Sequence, residues 1–215
     1  MEPLKTQPAR RWRRRKDARP AEIVTAALEV FAERGFSAAR LDDVAARAGI
    51  SKGTLYLYFP SKEDLFKAVV RVALLPNLER VERLLRAHPG PAAAQLEMMV
   101  GQIGALLQGT QIGVIPKLII AEAGNFPELA RFYLEEVVQR GLGLLAGILE
   151  RGIESGEFRA VDVGHGARTV IAPVLLAAIW KTTFEAHAGA RLDAEAFLRA
   201  AVDVVLSGLR ADGRG

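Results

Sequence analysis

The chain has 215 residues, enough for one large domain or two smaller ones with a buried core, and half of them are apolar against a quarter charged. It has no cysteine, which excludes disulfides, thiol nucleophiles and thiolate metal sites, and its three histidines, His88, His165 and His187, never stand at the i, i+4 spacing of a helical metal site. The net charge of +4 is unevenly spread: residues 1–20 hold eight Lys and Arg against Glu2 and Asp17, or +6, which leaves the remainder at −2. A basic arm on a nearly neutral body points to a polyanionic partner, either nucleic acid or an anionic membrane surface.

Ala, Leu, Glu and Arg far outnumber β-branched and aromatic residues, so an all-α fold is expected. Residues 1–18 read as a basic flexible arm. From Pro20, Ile23, Ala27, Val30 and Phe31 recur at helical spacing until Gly35, which predicts a first helix over about 20–34. A short second helix is predicted over about 41–48, with Asp42 and Asp43 in its first turn and Gly49 just past its end.

Ser51 is suited to cap a third helix over about 52–58, and Pro60 stops it. Ser61, with Asp64 three residues on, caps a fourth whose pattern runs to about Arg86, with Pro76 expected to kink or interrupt it. After the break at "HPGP", further helices are predicted over about 92–108, 112–123, 127–154, 164–186 and 193–210, nine in all. No stretch alternates with a period of two.

The second and third helices with Gly49-Ile50 between them make a helix-turn-helix. Ala45, Ala48 and Gly49 are small where the helices cross; Val44, Ile50, Leu55 and Phe59 are apolar and face inward. Ser51, Lys52, Thr54, Tyr56 and Tyr58 are left facing out, a set that suits phosphates, base edges and thymine methyls, and Gly53 allows a close backbone approach. A helical hairpin with a merely polar face is the plainer alternative.

The stretch "FAERGFSAARLDDVAARAGISKGTLYLYFPSKEDLF" (31–66) resembles the N-terminal signature of the TetR family of bacterial transcriptional regulators, over about 47 residues from Pro20 to Phe66. The resemblance implies a homodimer, each subunit with a three-helix DNA-binding head (19–65) and a larger helical-bundle domain for ligand binding and dimerisation (66–215). It also implies that Lys52, Gly53, Thr54, Tyr56 and Tyr58 make groove and phosphate contacts on a palindromic double-stranded operator. On the same basis Lys62 is a phosphate-binding lysine, Ser51 is the cap that places the amides, and Arg40 stands where the family commonly has a capping Thr.

The regulatory half is less diagnostic. "LIIAEAGNFPELARFYLEEVV" (118–138) is similar to a segment in the C-terminal domains of one TetR subgroup, without naming a ligand. Met98, Met99, Ile103, Phe126, Phe132, Trp180 and Phe184 are candidates for an apolar effector pocket, with ordinary core packing as the alternative. The glycines 101, 104, 109, 113, 141, 143 and 147 either open space for a ligand or allow close helix packing.

Other functional classes fit less well. "GLGLLA" (141–146) has the spacing of a dinucleotide fingerprint but follows no strand, so no enzyme, cofactor or metal site is expected. No secretory signal is read, and the apolar run 169–180 is shorter than the about 20 residues of a membrane span. The expectation is a cytoplasmic regulator, a repressor released from its operator by a small, largely apolar effector, with no membrane role.

Overall fold

The computed structural model describes residues 9–210, with side chains from residue 20 onward. These residues form eleven α-helices and no strand, only an isolated bridge between Phe158 and Arg210. The nine expected helices become eleven because two are divided. The stretch 61–86 breaks at Leu74, with Pro76 in the first turn of the following helix, and 127–154 is interrupted by a π turn.

The chain divides into two compact units, residues 1–72 and 73–215. The first contains α1 (Ala9–Ala38), α2 (Leu41–Arg47), α3 (Lys52–Tyr58) and nearly all of α4 (Lys62–Ala73). The expected boundary at 65/66 therefore moves to the end of α4. The reason is burial: α4 turns Leu65, Phe66, Val69 and Val70 inward.

Phe66 meets Phe31 and Phe36 of α1, the three ring centroids lying 5.3–5.5 Å apart, and this aromatic trio centres the unit's core. Ile23, Val44 and Leu55, one from each of the first three helices, are fully buried.

The first helix also departs from expectation. It begins at Ala9, so the basic stretch 9–18 is helical rather than a flexible arm, and residues 1–8 lie outside the described residues. Ala, Arg and Lys are strong helix formers, which lets the helix continue through Pro20 despite the missing backbone donor. Its regular part ends where expected, at Gly35, whose φ of 76° is open to glycine and strained for other residues.

The second unit comprises α5 (Leu75–Ala87), α6 (Ala92–Gly109), a 3-10 turn at Gln111–Gly113, α7 (Val114–Glu122), α8 (Pro127–Tyr133), a π turn at Leu134–Val138, α9 (Gln139–Glu154), α10 (Val163–Ile179), a π turn at Trp180–Phe184, and α11 (Ala194–Leu209). Helix α6 is the hub, packing on α9, α10 and α11 around Leu96, Met99, Leu145, Ile148, Leu149 and Val174. Its N-terminus follows Pro91 and has no cap of its own. Glu157, far away in sequence, supplies one, accepting from the amides of Ala92 and Ala93 at 2.6 and 2.9 Å.

The buried Gln95 joins three elements. It donates to the carbonyls of Leu85 and His88 and accepts from Arg151 at 2.7 Å. Asp162 and Asp193 cap α10 and α11.

Helix α10 with its π turn forms a 22-residue stretch, Val163–Phe184, that is long and apolar enough by length and composition to cross a bilayer. This overturns the shorter 169–180 estimate, because the helix runs straight through Pro173. Here one face of it, including Ala167, Val170, Val174, Ala177 and Ala178, is buried in the bundle.

Helices α5 and α9 are joined by a forked ion pair. Arg140 donates Nε to Glu82 Oε1 at 2.7 Å and Nη2 to Oε2 at 3.0 Å. The Glu82 side chain is mostly shielded, and the guanidinium bond holds its carboxyl below the ordinary value of 4.5. A carboxyl with a lowered folded-state pKa stabilises fully above its ordinary value, and that contribution disappears as falling pH protonates it. Glu82→Gln is therefore expected to lower the urea midpoint of the full chain at pH 7, with the gap to the parent protein closing as the pH is taken below about 4.

Candidate nucleic-acid interface and effector cavity

The turn between α2 and α3 is built by local hydrogen bonds. Ile50 N–H donates to Ala45 O at 3.0 Å and Gly49 N–H to Ala46 O at 3.2 Å, the Schellman pair, with Gly49 at φ 65°. Ser51 follows at once as N-cap, its Oγ accepting from Thr54 N–H at 3.1 Å and lying 2.8 Å from Thr54 Oγ1. Two helix ends are thus satisfied within the ten residues from Ala45 to Thr54. This fixes the angle at which α3 leaves α2.

On α3, Leu55 is wholly buried. The opposite face carries Gly53 and Leu57, flanked by Thr54 and Tyr56, since successive residues turn about 100°. Gly53 is exposed, and a methyl there would touch nothing closer than Ser51 Oγ at 4.0 Å, so no contact within the chain requires glycine at this position. Leu57 is 85% exposed, the most solvent-facing large apolar side chain of the chain's described residues, and sequence reading missed it. Its position two residues from Leu55, about 200° around the helix, was the available signal.

The cations differ from one another. Lys52 is exposed, with Nζ 2.8 Å from Asp42 and 6.0 Å from the Tyr56 ring centroid, and the bond to Asp42 raises its pKa. Its ammonium is therefore charged at neutral pH. Arg40 caps α2 only through its backbone, the Asp43 carboxylate accepting from Arg40 N–H at 3.3 Å, so its guanidinium is left for other contacts. This fits the loss of the capping hydroxyl expected there. Tyr58 is half-buried at the end of α3.

Lys62 is engaged within the chain. Its ammonium donates to the carbonyls of Phe36, Ser37 and Ala39 at 2.8, 3.0 and 3.1 Å and lies 4.6 Å from the Phe36 ring centroid. All three N–H donors are occupied, so the ammonium clamps the α1–α2 connection onto α4. Arg47 similarly holds α2 to α1, forking onto Glu33 at 2.9 and 2.7 Å and reaching Glu29 at 3.0 Å.

The second unit holds a cavity among α5, α6, α9 and α10, of about 120 Å³, walled by Leu78, Met99, Ile103, Leu107, Leu142 and Ile171 among others. Of the seven residues expected to line a pocket, Met99 and Ile103 do so. Met98 packs against the core, Phe132 is buried elsewhere, and Phe126 lies at the start of α8. Trp180 and Phe184 face outward with ring centroids 5.6 Å apart. Helical spacing alone does not tell a cavity wall from a core. Of the seven glycines, Gly141 lies on this wall, whereas Gly104 and Gly113 are pressed against Leu198 and Leu107. The "GLGLLA" stretch is interior to α9, as its helical pattern implied.

Residues 23–69 match the family model "Bacterial regulatory proteins, tetR family", and residues 94–208 match "AefR-like transcriptional repressor, C-terminal domain". The chain belongs to the TetR family. It is a DNA-binding transcriptional regulator.

Among its relatives is the fatty acid metabolism regulator protein of Bacillus subtilis (strain 168), 31% identical over 147 residues, 67% of this chain and 74% of that one. The transcriptional repressor KstR2 of Rhodococcus jostii (strain RHA1) is 29% identical over 196 residues, 90% of this chain and 92% of that one. The crystal structure of FadR from Bacillus subtilis with stearoyl-CoA superposes with a TM-score of 0.77 at 26% identity, covering 87% of this chain and 98% of that one.

The different roles of the lysines can be separated. Lys62→Met is expected to destabilise the protein by roughly 1–3 kcal/mol, since three carbonyls lose their donor, while leaving the salt dependence of DNA binding unchanged. Lys52→Met is expected to leave stability nearly unchanged and to reduce the slope of log K against log salt by about one. A reduced slope for Lys62→Met would show that its ammonium meets a phosphate as well.

Proposed function

We propose that this TetR-family regulator is a repressor that binds a palindromic operator as a homodimer and is released by a small, largely apolar effector. The observation that carries the DNA-reading part is the outward face of α3. Leu57 and the Thr54 methyl suit thymine methyls, Tyr56 and Tyr58 reach backbone or base edges, and Lys52 and Arg40 meet phosphates. Gly53 admits the DNA backbone, and Ser51 holds the start of α3 at the groove.

Dimerisation is supported by an apolar face on the last two long helices. Leu176 is 51% exposed and Val204 71%, and the Trp180–Phe184 pair is also exposed. A surface of this kind favours burial against a second copy, which would give the two-fold symmetry that a palindrome mirrors. Effector binding in the cavity is supported by its apolar wall and by the names of relatives, one of which was solved with stearoyl-CoA.

Release follows from population shift. An effector that binds better to dimers whose recognition helices are not spaced for successive major grooves, about 34 Å apart, weakens operator binding by its differential affinity. Leu74, Asn77 and Leu78 line the cavity directly after α4 in sequence, which is the covalent route for that effect. Catalysis and a membrane role form no part of this reading, and the site of action is the cytoplasm, where the DNA is.

The deciding experiment titrates the full-length protein against the DNA flanking its own gene and against scrambled DNA of equal length at two salt concentrations. A preference of about a thousandfold or more is expected for the native DNA. Equal affinities that fall steeply with salt would leave only non-specific phosphate binding. Leu176→Glu is expected to shift the protein to monomer in sedimentation and to lower operator affinity at least about tenfold, because one half-site contact is lost.

A further inference from the structure

A dense block of charge lies outside the helix-turn-helix. Residues 9–19 hold seven cations, Arg10, Arg11, Arg13, Arg14, Arg15, Lys16 and Arg19, against the single Asp17, a net +6. This stretch forms the first turns of α1, ahead of the packed part of the helix that begins near Ile23. Eleven helical residues span about 16 Å, so the charge is held on a rod rather than spread along a coil.

At about 100° per residue, the cationic positions go all the way round the helix axis. Arg10 and Arg14 share one side, Arg11 and Arg15 the next, Arg19 and Lys16 stand opposite, and Arg13 closes the circle. Trp12 is the one large apolar residue among them, so this part of α1 has no apolar face to bury. It also opposes itself. Seven pairs of cations stand three or four residues apart, against the two pairs that Asp17 makes with Arg13 and Arg14, and the first turn, at the positive end of the macrodipole, holds no acid.

An external polyanion relieves that conflict, and the first unit has few acids left to do so. Arg47 engages Glu29 and Glu33, Arg34 engages Asp43, Lys52 engages Asp42, and Ser61 donates to Asp64.

We infer that residues 9–19 are a second DNA-binding element, a cationic helix that lies along DNA phosphates and adds sequence-independent affinity to what α3 reads. A duplex of the same length carries about nine phosphates, and the walls of a groove present them on two sides, which suits cations placed all round a helix. A membrane surface meets a helix from one side and needs an apolar face toward the acyl chains, which this stretch lacks.

The test compares the full-length parent with a variant carrying Arg10→Gln, Arg11→Gln, Arg13→Gln, Arg14→Gln, Arg15→Gln and Lys16→Gln, substitutions that keep helix propensity. Each is titrated over a series of salt concentrations against the DNA flanking its own gene and against a scrambled duplex of equal length. With positions all round the axis, about four cations engage at a time, so the slope of log K against log salt is expected to fall by about three on both duplexes. The preference for native over scrambled DNA and the melting temperature are expected to stay close to the parent's. Deletion of residues 2–18 is expected to give the same loss of slope.

An unchanged slope on both duplexes would overturn the second element while leaving α3 as the reading helix. A loss confined to the native duplex would overturn its sequence independence. Strong cosedimentation of the parent alone with phosphatidylglycerol-containing vesicles, together with an unchanged DNA slope, would assign the helix to a membrane surface instead. Failure of the parent to bind either duplex would overturn DNA binding by the chain together with this element.

Discussion

Presentation of the recognition helix depends on the contact of three phenylalanines capped by one lysine. Phe31 and Phe36 flank the end of the first helix, and Phe66 reaches them from α4. Each edge or tilted ring pair adds roughly 0.5–1.5 kcal/mol beyond the burial of its surface. Lys62 then closes the cluster, with its ammonium against the Phe36 ring and its three protons on the connection to α2. Helix α3 has only seven residues and one buried side chain, so its orientation is borrowed from this platform through α2 and the Gly49 turn.

Ion pairs support the same platform but do not carry it. Arg47 with Glu33 and Glu29, and Arg34 with Asp43, cross between α1 and α2 at the surface, where water and salt weaken them. Their main effect is geometric, since a forked guanidinium restricts how α2 rolls on α1. Lys52 and Asp42 form another exposed pair, joining the starts of α3 and α2, and water and salt weaken it likewise.

The second unit leaves space among its helices as well as filling it. Gln95, Glu157 and the Glu82–Arg140 fork join distant helices at polar points around the bundle. With those joints fixed, α5, α6, α9 and α10 enclose apolar volume without collapsing on it. The π turn after Tyr133 and the absent side chain of Gly141 both shape that wall.

The sequence alone determined the all-α class, the helix-turn-helix, its caps and the inward or outward sense of most of its residues. These depend on interactions within about four residues: Ser51 capping Thr54, Gly49 taking a positive φ, Leu55 repeating the period of a buried face. The tertiary structure decided what depends on contacts between segments far apart in the chain. Lys62 became a clamp because the Phe36, Ser37 and Ala39 carbonyls, some 25 residues earlier, converge on it. Leu57 faced solvent although its residue type suggests a core. The cavity took Met99 and Ile103 but rejected Trp180 and Phe184, because a helical stripe marks a face of one helix, whereas an empty space depends on how several helices meet.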